Sequence, residues 1–561
     1  MTATTLKPEP QPVTRTRKLV TGGALKFALW LMVVLVFTCE QLFATSPWPI
    51  WKDGKAICRL VLPTGDERAA QLAQSTLTHY LQEFYNIEMP VAANTDEKGT
   101  YLLLGTPENN PTLAKLVKGG LQLTAQDLGS EGFQLLTHQD RKSKYLIAYA
   151  KTPRALKYAC QELIFYRWQA TARGGRLDTA LNIVMKPEVE YRGSYMLPCW
   201  SAQDSFESWE RALRFNSELT LNRNWFWLDG FPIAGHSGEY TNTALSDASN
   251  VQRLFDLTTA EDMKIYIGGG WFNWHHEKAV GKNYAKGISY YLDYLKAFTN
   301  FNGFYIEPTG EGQEIKDWRP EVEAFRTLVH EVLKQRPDFE VAVAIGEFNN
   351  PEYLKLMSEM DQQRVYWWWC WGDPISDHVL ELYPSVLRWH ITMRMAYYHG
   401  SLEPPDLSER KLAGVVTSYD PGQGFGNPWN GWGKLGVDKP RNVDPYTMPY
   451  FGHEYYFRER CWNPELTETE FLARLQRRLF DADAPKDAVG HYWRLSLMAY
   501  ESNYKQFPYY FRVNYAEQLA SERRFLESLR QRDWSPRMKD TIARMEEALK
   551  GLTEWAPKKK Q

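Results

Sequence analysis

The chain has 561 residues, of which 43% are hydrophobic and 24% charged, and this ordinary balance excludes wholesale disorder. Its length exceeds what one hydrophobic core usually organises, so we expect two or three domains. The 66 basic and 68 acidic residues leave a net charge of -2, which provides no strong field for a polyanion and argues against nucleic acid as a partner. Aromatic residues are abundant at 14%, and their flat faces suit the stacking of sugar rings.

The pattern of the N-terminal region predicts a targeting signal. Residues 1–23 are rich in Thr, Pro and Gly and carry basic residues, which predicts a disordered cytoplasmic segment. The apolar run at 27–39 has the length of a signal-peptide core, and its extension through Ala44 reaches the thickness of a bilayer. Residues 24–45 are therefore predicted to be an uncleaved signal anchor or a cleavable signal peptide. Because basic residues precede the run, we expect the body outside the cytoplasm, periplasmic or extracellular. It would be held at the cell membrane by one span, or secreted after cleavage.

Strand and helix patterns alternate over residues 56–186, which predicts a small α+β domain. No obvious nucleophile falls within it, so we expect it to support the rest of the chain. The predicted elements are a strand at 56–62, a helix after Asp66, a strand at 101–105, a hairpin of 132–136 and 145–149, and a helix that begins at Thr152.

Eight apolar strand candidates alternate with helical patterns over residues 188–435, as in parallel α/β units. Eight units over about 240 residues predict a (β/α)8 TIM-like barrel. The seventh candidate is the weakest, because residues 389–398 match a helix equally well. The predicted strands are 191–197, 223–228, 264–268, 303–306, 340–345, 365–369, 391–395 and 414–418.

The last region, 462–556, has a helical pattern, with Thr467 and Thr469 as candidate N-caps. No internal repeat of fixed period is visible, which disfavours solenoids and propellers. The predicted fold class is therefore α/β: a (β/α)8 barrel preceded by a small α+β domain and followed by a C-terminal helical region.

Reactive groups of a barrel enzyme lie at the carboxyl ends of its strands, so we expect them among the residues that follow each predicted strand. Carboxylates and indoles alternate there, and aromatic faces with hydrogen-bonding groups beside them are suited to holding a sugar. The predicted substrate-binding residues at this rim are Trp227, Asp229, Trp271, Trp274, His275, Trp368, Trp371 and Asp420.

Hydrolysis of a glycosidic bond needs an acid to protonate the leaving oxygen and a second carboxylate as base or nucleophile, about 5–5.5 Å away for retention or about 6.5–9.5 Å for inversion. We predict Glu311 or Glu314 as the acid and Glu347 or Asp373 as its partner, with Glu307 as a further candidate. Glu307, Glu311 and Glu314 follow the fourth predicted strand, and Glu347 and Asp373 follow the next two. Each one alone matches a solvated loop charge or a helix N-cap equally well, so the prediction rests on the whole constellation.

No metal and no cofactor is predicted. His275 and His276 are adjacent, and neighbouring residues in a strand or loop usually point apart, with no matching third ligand in the sequence. The six cysteines are widely spaced and form no CxxC pair, which signals neither zinc nor a thioredoxin-like motif. One or two disulfides stay open for a body outside the cytoplasm.

Four short motifs along the chain carry a resemblance to known proteins: Leu62-Pro63, Leu103-Leu104-Gly105-Thr106-Pro107, Glu190-Tyr191-Arg192-Gly193 and Trp462-Asn463-Pro464. With the predicted domain order, they resemble carbohydrate hydrolases that join a hexosaminidase-type α+β domain to a barrel, namely glycoside hydrolase families 20, 67, 84, 89 and 115, with the α-glucuronidases most similar. The resemblance covers roughly residues 56–500 and implies this fold and a glycosidase activity. The Arg-Gly that commonly opens these barrels implies that Arg192 binds substrate.

The departures from the families are as informative. Family-20 enzymes carry an Asp-Glu pair after the fourth strand, and this chain has no such pair there. The stretch 310–314 is loosely similar to the Gly-x-Gly-Asp-Glu of family-115 glucuronidases, with Gln313 in place of the acidic residue. We therefore favour a divergent, exo-acting, extracytoplasmic glycoside hydrolase over an N-acetylhexosaminidase. The alternatives are a catalytically inactive, membrane-anchored glycan-binding protein and an accessory subunit of a membrane complex.

Overall fold

Two small sheets with three helices open the described part of the chain. The computed structural model describes residues 47–124, 127–177, 180–196, 205–227, 244–270, 284–307, 319–344, 350–360, 364–369, 377–383, 387–389, 414–419, 451–503 and 515–555. The first elements are β1 (Trp48–Lys52), β2 (Lys55–Ala56), β3 (Cys58–Val61), α1 (Glu67–Tyr85), β4 (Thr100–Gly105), α2 (Pro111–Lys118), β5 (Phe133–Gln139), β6 (Lys144–Ala150), α3 (Pro153–Glu162), a π-helical turn (Leu163–Arg167), β7 (Gln169–Thr171), β8 (Gly174–Leu177) and β9 (Asn182–Met185).

The larger sheet has the strand order β3-β4-β6-β5-β9, and the smaller one the order β2-β1-β8-β7. The predicted hairpin is confirmed, since β5 and β6 pair antiparallel from Phe133↔Ala150 to Gln139↔Lys144. Helix α1 begins where the Asp66 side chain accepts a hydrogen bond from the Ala69 amide at 2.9 Å. Its apolar stripe is buried, and the helix ends at Asn86 in the left-handed conformation.

A closed barrel of eight parallel strands follows, and it confirms the predicted fold class. The barrel closes where β10 pairs with β17, from Tyr191↔Gly414 to Met196↔Tyr419. Its elements are β10 (Tyr191–Met196), α4 (Phe206–Glu218), β11 (Arg223–Trp227), α5 (Ala248–Ala260), β12 (Lys264–Gly270), α6 (Tyr284–Ala297), β13 (Gly303–Glu307), α7 (Arg319–Gln335), β14 (Glu340–Ala344), α8 (Pro351–Ser358), β15 (Val365–Trp369), α9 (Asp377–Leu382), β16 (Leu387–Trp389) and β17 (Gly414–Tyr419).

The predicted position of the seventh strand was wrong. The structure forms this strand at Leu387–Trp389, whereas residues 391–395 lie outside the described residues. Three described residues pair here, with Arg388 between two apolar neighbours, so the described part of the strand is not a continuous apolar run. Its pairing with both neighbours defines it instead, through Trp368↔Leu387 and Trp389↔Val416.

The two faces of the barrel strands differ in chemistry. Outward-facing aliphatic and aromatic side chains, such as Ile265, Ile267, Phe304 and Ile306, are buried in one core with the surrounding helices. Alternate positions on the same strands carry larger polar or aromatic groups, for example Tyr266. This alternation follows from the two-residue period of a strand, and it explains why the apolar runs were recognisable in the sequence.

The C-terminal helices begin earlier than predicted, at Phe451, so Trp462 ends the first of them rather than preceding the region. The residue before Pro464 is disfavoured in a helix, which fits this end point. The helices are α10 (Phe451–Trp462), α11 (Glu468–Leu479), α12 (Ala488–Asn503), α13 (Tyr515–Leu529) and α14 (Pro536–Trp555).

Helix α11 is capped by Thr467 and not by Thr469. The Glu470 amide donates to the Thr467 hydroxyl at 3.2 Å, and the Glu470 carboxylate accepts from the Thr467 amide at 2.9 Å, which is a capping box. We expect Thr467→Ala to lower the free energy of unfolding by about 1 kcal/mol, measured by urea titration. Thr469→Ala is the matched control, because Thr469 is also exposed and lies two residues later in the same turn; this change should leave stability unchanged. Equal effects of the two changes would contradict this assignment.

None of the described helices is long and apolar enough to cross a bilayer. The predicted signal at 24–45 lies outside the described residues. Three of the six cysteines are described, Cys58, Cys160 and Cys461, and all three are buried free thiols. Burial raises the pKa of the Cys58 and Cys461 thiols to about 12, so neither is a nucleophile near neutral pH.

Candidate functional site

The predicted site residues divide into two groups. Four of them, Arg192, Trp227, Glu307 and Trp368, belong to described barrel strands. The others lie outside the described residues, namely Asp229, Trp271, Trp274, His275, Glu311, Glu314, Glu347, Trp371, Asp373 and Asp420.

Three of the four described residues stand at or next to the carboxyl ends of their strands, which form the mouth of the barrel. Trp227 ends β11 and is in register with Gly268, and Glu307 ends β13 and is in register with Gly270. Trp368 is the penultimate residue of β15 and is in register with Leu387. The fold therefore brings these three backbone positions to one end of the barrel.

Below this mouth, aromatic side chains fill the barrel interior. The indole of Trp225 stacks on the ring of Tyr266, with centroids 5.5 Å apart and planes 16° apart. Both residues are about fully buried, and each lies two residues before a position at the mouth. Barrel interiors are usually filled by branched aliphatic residues, whereas here two stacked aromatic rings take that place. Because both rings are buried and stacked, they form a rigid aromatic floor beneath the candidate site.

Gly193 makes room for this floor. A Cβ atom built on Gly193 would overlap the ring carbons of Trp225, which has no space to retreat because it is 1% exposed. We expect Gly193→Ala to lower the free energy of unfolding by about 1–3 kcal/mol, measured by urea titration. Gly490→Ala in α12 is the control, because its nearest neighbour would be Arg494 Nη1 at an ordinary 3.6 Å. A Gly193→Ala protein as stable as the Gly490→Ala protein would show that Trp225 is free to move.

The opposite, amino-terminal end of the barrel is closed by a polar cluster that sequence reasoning missed. The Glu340 carboxylate accepts hydrogen bonds from Lys264 and from the hydroxyls of Tyr266 and Tyr366. Burial opposes the ionisation of Glu340, but the Lys264 charge and these donors outweigh it and hold its pKa below the ordinary value. Beside it, the Arg223 guanidinium lies 3.9 Å above the Tyr191 ring. A signal was present, since Lys264 and Glu340 both begin predicted strands.

The structure does not bring Arg192 to the mouth, which corrects its predicted role as a substrate contact. It lies near the start of β10, at the opposite end of the barrel, and is fully buried. Its guanidinium donates to Glu131 at 2.7 Å, to the Val189 carbonyl at 2.7 Å and to the Thr220 carbonyl at 3.0 Å. Because protein groups occupy these donors, Arg192 fastens the barrel to the N-terminal domain.

That fastening centres on Glu131, which precedes β5 in the N-terminal domain. Its carboxylate accepts from Arg154 at 3.2 Å and from the Asn222 side chain at 2.9 Å, besides Arg192. Burial opposes the ionisation of Glu131, but the two guanidinium groups prevail and lower its pKa. The N-terminal domain thus holds the amino-terminal ends of the first two barrel strands.

The described residues were also compared with the arrangement that a metal site needs. Within the described ranges no group of three or more His, Cys, Asp or Glu side chains is arranged to hold a metal ion. His275 and its neighbours lie outside those ranges.

No protein-family model matches the sequence, and no curated protein is similar to it. Solved structures are similar in fold. A family-20 exo-β-N-acetylglucosaminidase from Vibrio harveyi, solved with N-acetylglucosamine, has a TM-score of 0.52 at 14% identity, over 77% of this chain and 74% of that one. A family-20 β-N-acetylhexosaminidase from Streptomyces coelicolor A3(2) has a TM-score of 0.51 at 12% identity, over 77% and 92%. The fold of this chain is therefore similar to the hexosaminidase-type glycoside hydrolase fold.

Proposed function

We propose that this protein is an extracytoplasmic glycoside hydrolase that acts on the end of a glycan or glycoside with paired carboxylates at the barrel mouth. One observation carries the proposal. Three successive barrel strands, β13, β14 and β15, end at Glu307, Ala344 and Trp369, and a candidate carboxylate lies at or soon after each end. Because the carboxyl ends of parallel barrel strands open on one rim, these groups belong to one site.

The division of labour among the carboxylates follows from the chemistry of glycoside cleavage. Glu311 or Glu314 serves as the general acid, since both follow Glu307 within one short, glycine-containing segment. Glu347, three residues after β14, or Asp373, four residues after β15, serves as the partner carboxylate. Their separation decides whether the anomeric configuration is retained or inverted.

Sugar binding is assigned to the aromatic groups of the same rim. Trp227 and Trp368 belong to the barrel strands themselves, and Trp271, Trp274 and Trp371 follow strands in the sequence. Indole faces bury the apolar side of a pyranose ring while neighbouring polar groups hydrogen-bond its hydroxyls. Exo action is supported by likeness of fold, since one of the similar structures is of an exo-acting glucosaminidase.

Export belongs to the same proposal and is supported by the apolar run at 27–39, with basic residues before it. A glycan-degrading barrel outside the cytoplasm meets its polymeric substrates directly. Fusion of residues 1–60 to a reporter that is active only outside the cytoplasm tests this part, and an inactive reporter made at normal levels would refute it.

The activity is tested with the purified full-length protein on a panel of aryl glycosides, aryl glucuronides and glucuronoxylan fragments. We expect release of a terminal sugar from at least one class, detected by chromatography of the products. If no sugar is released, a glycan array run in parallel distinguishes a protein that binds glycans without cleaving them from one that does not bind them. Tight binding without turnover would replace the hydrolase by a glycan-binding protein, and neither binding nor turnover would reject the site.

A further inference from the structure

Two hairpin turns near the N-terminus of the described chain lie side by side. Strands β1 and β2 are joined by Asp53 and Gly54, with φ of 49° and 74°, as in a type I′ turn. Strands β7 and β8 are joined through Arg173, whose carbonyl accepts a hydrogen bond from the Asp53 amide at 2.7 Å. The two turns are thereby fixed to each other at one end of the small sheet.

This end of the sheet concentrates positive charge. Lys52 and Lys55 are directly opposite in register, and like charges in that position destabilise a sheet. Arg173 adds a third cation in the adjoining turn, and all three side chains are exposed. We name Lys52, Lys55 and Arg173 the basic hairpin cluster. Among the described residues none of the three makes an ion pair.

The nearby carboxylates do not cancel this charge. Asp53, in the first turn, is one exposed acidic group against three basic ones. Asp533 is close enough to Arg173 to be affected by its charge, but its hydrogen bond to Lys539, at 2.8 Å, is the main cause of its lowered pKa. The cluster therefore keeps a local excess of positive charge, although the net charge of the whole chain is only -2.

Chain connectivity restricts what this cluster can reach. Only three residues separate Ala44, where the apolar run ends, from Trp48, where β1 begins. Four residue steps span at most about 14 Å, and the five-residue β1 adds about 16 Å. If residues 24–44 remain in a bilayer, the basic hairpin cluster stays within about 30 Å of its surface.

We propose that the basic hairpin cluster binds anionic lipid headgroups of the membrane that holds residues 24–44, and so fixes the orientation of the body on that membrane. The short connection keeps the cluster near the headgroups, and the charges select the orientation in which β1 runs along the surface. After Asp53 is counted, the net excess of two positive charges at an anionic surface favours that orientation on the order of 30-fold over free tumbling. The preference disappears at about 1 M salt, where charges are screened within about 3 Å.

The test uses the full-length chain in lipid nanodiscs. Ala172→Cys, an exposed position beside Arg173, is labelled with a donor fluorophore, and the discs carry an acceptor-labelled lipid. The same chain without this cysteine gives the background labelling. We expect stronger energy transfer in discs with phosphatidylglycerol than in discs of phosphatidylcholine alone, and loss of this difference at high salt.

Charge removal decides the assignment. Lys52→Gln/Lys55→Gln should lower the ratio of oriented to freely tumbling protein on the order of 30-fold in the anionic discs. The control, Lys296→Gln/Lys334→Gln, removes two exposed lysines of barrel helices, each paired with a carboxylate of its own helix, and should change nothing. Equal transfer in both kinds of disc, or a difference that survives in the Lys52→Gln/Lys55→Gln protein, would overturn the proposal. A chain that is not retained in the discs would overturn it too, because nothing then holds the cluster at a bilayer.

Discussion

One of the two changes Glu311→Gln and Glu314→Gln, the one that removes the general acid, should lower the rate of glycoside cleavage about 10²–10⁴-fold, the range that general acid catalysis contributes. Gln keeps the size and most hydrogen bonds of Glu but cannot donate the proton that the leaving oxygen needs. The measurement is kcat/KM on an aryl glycoside to which the unmodified protein is active. The fold should be unaffected, and Glu527→Gln, an exposed change on α13, is the matched control.

The nature of the leaving group distinguishes the acid from its partner. A phenol of low pKa leaves with little protonation, so loss of the acid should matter least for the most acidic leaving groups. Loss of the nucleophile or base should slow every substrate alike. One of the two changes Glu347→Gln and Asp373→Asn, the one that removes the partner carboxylate, is expected to show this second pattern, and Glu307→Gln is assigned by whichever pattern it shows. If none of the five changes alters a confirmed activity, catalysis by these carboxylates is refuted.

The barrel was predictable because its strands carry local information. Seven of the eight predicted strands begin at the residue where the observed strand begins, as at Val365–Trp369, and only the seventh does not. Outward-facing pairs such as Ile265 and Ile267 must be apolar to meet the helices, and this requirement leaves a visible run in the sequence. The described residues of β16 alternate apolar and basic types, Leu387, Arg388 and Trp389, so they form no such run, and the position of this strand was missed for that reason.

Contacts between distant segments were not predictable in this way. Glu131 and Arg192 are separated by 61 residues, and their motifs give no sign that they meet. The Arg-Gly resemblance implied that Arg192 binds substrate, because such a motif indicates the type of residue and its strand but not the end of the strand at which it lies. Which of several cations neutralises a buried carboxylate depends on packing, which no short motif records.

The most buried example of such a contact joins the N-terminal domain to the C-terminal helices. Glu162, at the end of α3, is completely buried and accepts two hydrogen bonds from Arg474 of α11, at 3.1 and 2.9 Å. Arg167 lies 2.7 Å from the same carboxylate and Arg458 lies 3.6 Å from it. Glu459 accepts from both Arg458 and Arg474, so that three cations share two carboxylates in a buried site. Burial opposes the ionisation of Glu162, but the three guanidinium groups prevail and lower its pKa to about 2.

Glu162→Gln should therefore lower the free energy of unfolding by about 3–5 kcal/mol at neutral pH, because it leaves buried guanidinium groups without their counter-charge. The folded-state pKa of Glu162 lies below the unfolded value of about 4.3, so its contribution is fully present above that pH and is lost as the pH falls toward 2. Urea titrations of both proteins should accordingly converge as the pH is lowered from 6 to about 2. Glu97→Gln, which removes the carboxylate of an exposed pair with Arg59, is the matched control and should change neither the stability nor its pH dependence. A Glu162→Gln protein that differs from the unmodified one by the same amount at every pH would show that shape, rather than charge, makes Glu162 necessary at this junction.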